Sequence, residues 1–106
     1  MPRILIAEPN DDVRTLLELT VERLGYEAVP AHGQPAPSEV DAVLLEPACA
    51  VGRSIIHRFG DESPPVVCLS VYPREQGLEP PASVAYLVKP ASPSAIGDAL
   101  RSVFGD

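Results

Sequence analysis

Between Arg3 and Leu24 the hydrophobic period of the sequence changes once, and that change limits what the chain can fold into. RILIA, Arg3 to Ala7, is a continuous apolar run rich in branched residues, the pattern of a strand buried on both faces. Beyond Glu8 and Pro9 the spacing becomes helical. Val13, Leu16, Leu17, Thr20, Val21 and Leu24 recur at i, i+3, i+4, i+7, i+8 and i+11, which is one face of a helix. Asn10 can cap its start, and Asp11 and Asp12 suit the positive end of its dipole. Gly25 fits the position just past its C-terminus. A fully buried strand that runs straight into an amphipathic helix begins an α/β unit.

The alternation continues to the end of the chain. YEAV, DAVLLE, VVCLS and VAYLVK read as four more short strands. RSIIHRF reads as a short helix, and SPSAIGDALRSVF as a longer one, capped by Ser92 with Pro93 at its first position. Ile96, Leu100, Val103 and Phe104 form its apolar face. Strands joined by helical crossovers predict a parallel sheet. Two of the five expected helices have no room. PAHGQPAPSEV, after the second strand, holds three prolines and a glycine, and YPREQGLEPPAS, before the fifth, is equally poor in helix formers. The second and fourth helices should therefore be shortened or replaced by loops.

At 106 residues the chain has enough material for one domain, residues 1–106, with one modest core. A net charge of −7 disfavours a nucleic-acid surface and docking on anionic lipid. No apolar run approaches a membrane span or a signal peptide, so a cytoplasmic location is expected. The opening MPRIL and the closing FGD suit natural chain ends, also as an expectation. Cys49 falls in a loop and Cys68 in an apolar run. A disulfide scaffold is not expected of two cysteines.

In open parallel sheets, functional groups collect at the carboxyl ends of the strands. There the chain carries Glu8 and Pro9 after the first strand, Glu46 after the third, Ser70 after the fourth, and Lys89 and Pro90 after the fifth. Lys89 is the only lysine in the sequence. A polar residue often ends a buried strand merely because the chain is leaving the core. Two carboxylates, a hydroxyl and an ammonium at one edge are harder to explain that way.

This set resembles the receiver domain of bacterial response regulators, the phosphorylated modules of two-component signal transduction. The matching stretches are ILIAEPNDDVRTLLELTVERLGYEAV, DAVLLEP, VVCLS and YLVKPASPSAIGDAL. The resemblance implies a flavodoxin-like, doubly wound α/β fold with five parallel strands in the order 2-1-3-4-5. It also implies a site in which an acidic pair holds magnesium and an aspartate takes a phosphoryl group within a phosphorelay. A hydroxyl and a lysine bind the phosphoryl oxygens, and an aromatic residue signals the change. On this sequence Lys89 and Ser70 match, and Tyr86 falls on the aromatic switch position. Glu8 falls on the first acidic position. Pro9 stands on the second acidic position and carries no oxygen ligand. Glu46 stands where the phosphoacceptor aspartate is expected, and Val71 where a small residue is usual.

These departures bear on the chemistry. Phosphoryl transfer of this kind depends on positioning and on charge neutralisation by the metal. Glutamate carries its carboxylate roughly 1.5 Å farther than aspartate, and a misplacement on that scale can cost about a hundredfold in rate. Val71, if turned inward, would narrow the route to Glu46. Glu8, Glu46 and a backbone carbonyl near Ala48 could hold magnesium only weakly. No other cofactor is expected. The longer Glu46 side chain can instead reach Lys89, with Ser70 as a nearby donor. The reading that follows is a pseudo-receiver, not an enzyme, which signals through another protein or by self-association. Its contact face would be built by the fifth strand and the last helix, from Tyr86 to Phe104.

Two alternatives stand beside it. One is a working phosphoreceiver with Glu46 as an atypical acceptor. The other is a small enzyme on the same fold. Against the enzyme, AEPNDD replaces a glycine-rich phosphate loop. Ser70 has no evident histidine partner, and His32 and His57 read as surface residues. Asp11 and Asp12 are accounted for by the helix dipole.

Overall fold

The computed structural model describes residues 1–76 and 78–105. Five strands, β1 (Arg3–Ala7), β2 (Glu27–Pro30), β3 (Ala42–Leu45), β4 (Val66–Ser70) and β5 (Ser83–Val88), form one parallel sheet in the order β2-β1-β3-β4-β5. Three α-helices accompany them: α1 (Asp11–Arg23), α2 (Ala50–Phe59) and α3 (Pro93–Val103). The sheet order and the loss of two helices follow the sequence expectations.

Alternate residues of each central strand serve different layers. Ile4, Ile6, Leu44, Val67 and Leu69 face Leu17 and Val21 of α1 and Ile96 and Leu100 of α3. Leu5, Ala7, Val43, Leu45, Val66 and Cys68 face Ile55 and Phe59 of α2. Tyr26 and Phe104 close the first layer edge to face, with ring centroids 5.3 Å apart.

The helix signals operate as read. Asn10 accepts the Val13 N–H through its side chain at 3.0 Å, and Ser92 does the same for Ala95 at 3.0 Å. Gly25 takes φ +85°, a value that favours glycine. Leu16, expected on the buried stripe of α1, is 44% exposed. Its neighbours Leu17, Thr20 and Val21 carry the burial instead.

Where helices are missing, short 3-10 turns replace them: Ala31–Gly33 and Pro37–Glu39 between β2 and β3, and Arg74–Gln76 between β4 and β5. Prolines in both segments remove the N–H groups a longer helix would need. Side chains then fix the loops. Arg3 donates to the Glu39 carbonyl at 2.7 Å, and Arg58 to the Pro35 carbonyl at 2.8 Å. Arg74 holds Glu79 through two N–H groups at 2.7 and 2.9 Å, and Ser83 donates its hydroxyl to the same carboxylate. The α2 side of the sheet is thus covered by one helix and two tied-down loops. Among the described residues no helix is long and apolar enough to cross a membrane.

Candidate functional site

The parallel strands bring Glu8, Glu46, Ser70 and Lys89 to one edge of the sheet, each just beyond or at the end of its strand. All but Lys89 are buried, and the lysine side chain is only 17% exposed. Lys89 Nζ lies 2.6 Å from Glu8 Oε1 and 3.4 Å from Glu46 Oε2. The ammonium therefore bridges the two carboxylates. The pairing expected with Glu46 is present, but the shorter contact is with Glu8. A strand-end carboxylate on β1 and one on β3 both reach inward, since β1 and β3 are adjacent. The Glu8–Lys89 contact is ionic without being a directed hydrogen bond, because Oε1 has no partner of suitable geometry.

The remaining carboxylate oxygens are tied to the backbone. Glu8 Oε2 accepts the Asn10 N–H at 3.1 Å, and Glu46 Oε1 accepts the Ala48 N–H at 3.0 Å. Both loops after the strands are thereby folded back onto their own acids. Ser70 is fully buried, yet its hydroxyl does not serve the acid, as the sequence had suggested. It accepts the Tyr72 N–H at 3.1 Å, while the Ser70 carbonyl accepts the Lys89 N–H at 2.7 Å. Ser70 thus sets the path of both strand exits. The Lys89–Pro90 peptide is cis.

Magnesium prefers octahedral oxygen ligands, usually with several carboxylate or water donors. The donor set here does not fit it. Pro9 offers no side-chain oxygen and is exposed. An ammonium stands between Glu8 and Glu46, and no cluster of three or more His, Cys, Asp or Glu side chains exists among the described residues.

The turn after β3 is held by contacts the sequence did not announce. Cys49, read as a loop residue, is the N-cap of α2. Its Sγ accepts the Gly52 N–H at 3.2 Å and donates to the Glu46 carbonyl at 3.1 Å. A Cβ on Gly52 would stand 2.0 Å from that carbonyl oxygen, so only glycine lets α2 start this close to Glu46. The small residues of PACAVG were the available signal. Cys68 lies inside the sheet, where burial pushes its thiol up to about 11. Arg74 and then Ser83 hold the Glu79 carboxyl below the usual range.

Val71 does not narrow the approach to Glu46. It is 61% exposed and lines a groove with Val13, Leu16 and Pro90, to which Glu46 does not contribute. Tyr86 packs in the α2 layer and donates its hydroxyl to the Tyr72 carbonyl at 2.7 Å. Phe104 belongs to the opposite layer. The two ends of the expected contact face, Tyr86 and Phe104, therefore pack on opposite sides of the sheet. At the sheet edge stands β5 itself, with Val84 and Val88 exposed.

No protein-family model matches the sequence, and no curated protein matches it closely. Solved structures do. A sensor protein from Polaromonas sp. is 25% identical with a TM-score of 0.77, over 96% of this chain and 94% of that one. A response regulator receiver protein from Burkholderia phymatum is 20% identical with a TM-score of 0.79, over 99% and 96%. The receiver domain of a sensor histidine kinase from Pseudomonas aeruginosa, which has magnesium coordinated in its active-site cleft, is 20% identical with a TM-score of 0.76, over 99% and 98%. The fold is the flavodoxin-like fold of receiver domains, matched over nearly the whole length of those chains.

Proposed function

We propose that this chain is a receiver-like signalling module that has kept the fold of a phosphorelay receiver and lost its phosphotransfer, and that it acts by binding another protein. The observation that carries the reading is the Glu8–Lys89–Glu46 bridge. An ammonium that in a working receiver would meet phosphoryl oxygens is neutralised here from within. A largely buried cation held by two buried carboxylates has no unmet charge for phosphate to satisfy. The position expected of the phosphoacceptor aspartate holds Glu46, whose carboxylate is committed to Ala48 and Lys89. The second acidic position holds Pro9.

Signalling would then run through surface recognition. Edge strand β5 supports this, because Val84 and Val88 are exposed beside Tyr86, where a fourth helix is lacking. The absence of nucleic-acid and membrane partners belongs to the same proposal and rests on the net charge of −7, and a cytoplasmic location belongs to it too, resting on the lack of a long apolar helix among the described residues.

The test is chemical. The protein is incubated with acetyl phosphate or phosphoramidate and magnesium, then weighed intact. The reading predicts no added phosphoryl group under conditions that fully modify a working receiver. A single adduct mapped to Glu46 would instead establish the atypical phosphoreceiver.

A further inference from the structure

A cleft beside the ion bridge shares one residue with it, Glu8. It has a volume of about 630 Å³ and occupies the space left by the missing second helix, between α1, α2 and the turn at Ala31–Gly33. Its walls are apolar where Ile6, Pro9, Pro30 and Val51 line it, and Arg14 and Arg58 enter it from opposite helices. Cavities of this size are ample for a small organic molecule.

The two guanidinium groups are fixed and only partly used. Arg58 stacks over the Phe59 ring, 5.2 Å from its centroid, and donates one N–H to the Pro35 carbonyl. Arg14 donates to the Glu8 carbonyl at 3.2 Å and to the Asp11 carboxylate. A guanidinium has five N–H donors, so each keeps donors for a further acceptor. Glu8 and Glu18 also line the cleft. Glu8 is already matched by Lys89, and Glu18 lies one helical turn beyond Arg14. Two arginines with spare N–H groups therefore stand in a cleft whose walls are partly apolar, with Glu18 and His32 beside them.

We infer that this cleft binds a small amphipathic anion, an apolar body carrying one carboxylate, sulfonate or phosphate group, with Arg14 and Arg58 on the head group and Pro9, Pro30 and Val51 against the body. Occupancy would press on Pro9 and Glu8, the outer rim of the ion bridge. The inference does not depend on whether Glu46 can be phosphorylated.

Anilinonaphthalene sulfonate is a suitable probe, with the uncharged N-phenylnaphthylamine as its control. The expected result is saturable binding of one sulfonate probe per folded chain, with NMR amide shifts at Ala31, Gln34 and Ser54. Arg58→Gln should weaken the sulfonate by about tenfold or more and leave the uncharged probe unchanged, since a hydrogen bond to a charged group is what is removed. Ser54→Trp, at an exposed position of α2, should block both probes and serves as the second variant if Arg58→Gln does not fold. Equal affinity for the two probes, or shifts centred on Val71 and Ala91, would overturn the assignment.

Discussion

Lys89 is the residue on which the site turns. Its ammonium is shared by two carboxylates whose side chains are 2% and 6% exposed. Removing it leaves uncompensated buried charge, which typically costs about 3–5 kcal/mol. Lys89→Met is expected to lower unfolding free energy by about 3 kcal/mol in urea melts. Glu46→Gln should cost far less, about 1 kcal/mol or under, because Glu8 still pairs with the lysine at the shorter distance. Equal losses in the two variants would mean that the bridge does not carry this energy. The sequence made Lys89 and its two acids visible as strand-end residues. It did not reveal which acid comes closer, because that depends on how each exit loop folds back onto its own carboxylate. The same limit applied to Ser70, whose hydroxyl turned out to cap the next turn.

At the scale of elements, the seam between β3 and α2 is the tightest point. Gly52→Ala would drive a Cβ into the Glu46 carbonyl, so α2 must shift or the turn must open. Overpacking of this kind costs about 1–3 kcal/mol, whereas Gly33→Ala, with open space around it, should be close to neutral by thermal melting. The β4–β5 pair yields a second prediction. Cys68 is fully buried with its thiol raised from 9.0 to about 11. The folded state holds that proton more tightly than the unfolded chain, so the stabilisation is complete below pH 9 and is lost as pH rises toward 11. Across that window the wild type should lose about 2 kcal/mol more than Cys68→Ala. A matching pH profile in the two proteins would contradict the burial argument. The strands and the three helices were legible because their signals are local: continuous apolar runs, Asn10 and Ser92 as caps, and Gly25 as a stop. Cys49 as a cap was not, because a thiol seldom takes that role and the choice was set by the close approach of Gly52.

For the whole molecule, the erosion of two helices is the feature with the widest consequence. The prolines of residues 30–37 and 73–81 announced it. They did not announce the cleft that remains, since a cavity depends on what neighbouring layers fail to fill. The 3-10 turns that replace the helices have few backbone hydrogen bonds, so amides of residues 31–39 should exchange with solvent well before those of α1 and α3. Tyr86 was legible as a residue of the fifth strand, but only the assembled layers put Phe104 on the other side of the sheet. The exposed part of β5 is thus its outer edge, at Val84 and Val88.

The central claim is that the ammonium of Lys89 is satisfied by Glu8 and Glu46, leaving no place for metal or phosphoryl oxygens. Because Lys89 is the only lysine, its Nζ gives a single side-chain ammonium resonance in the whole protein. Following that resonance by NMR while millimolar magnesium and then beryllofluoride are added tests the claim directly. The account predicts that its position stays constant throughout. A saturating shift at sub-millimolar magnesium, or a new ammonium environment with beryllofluoride, would contradict it.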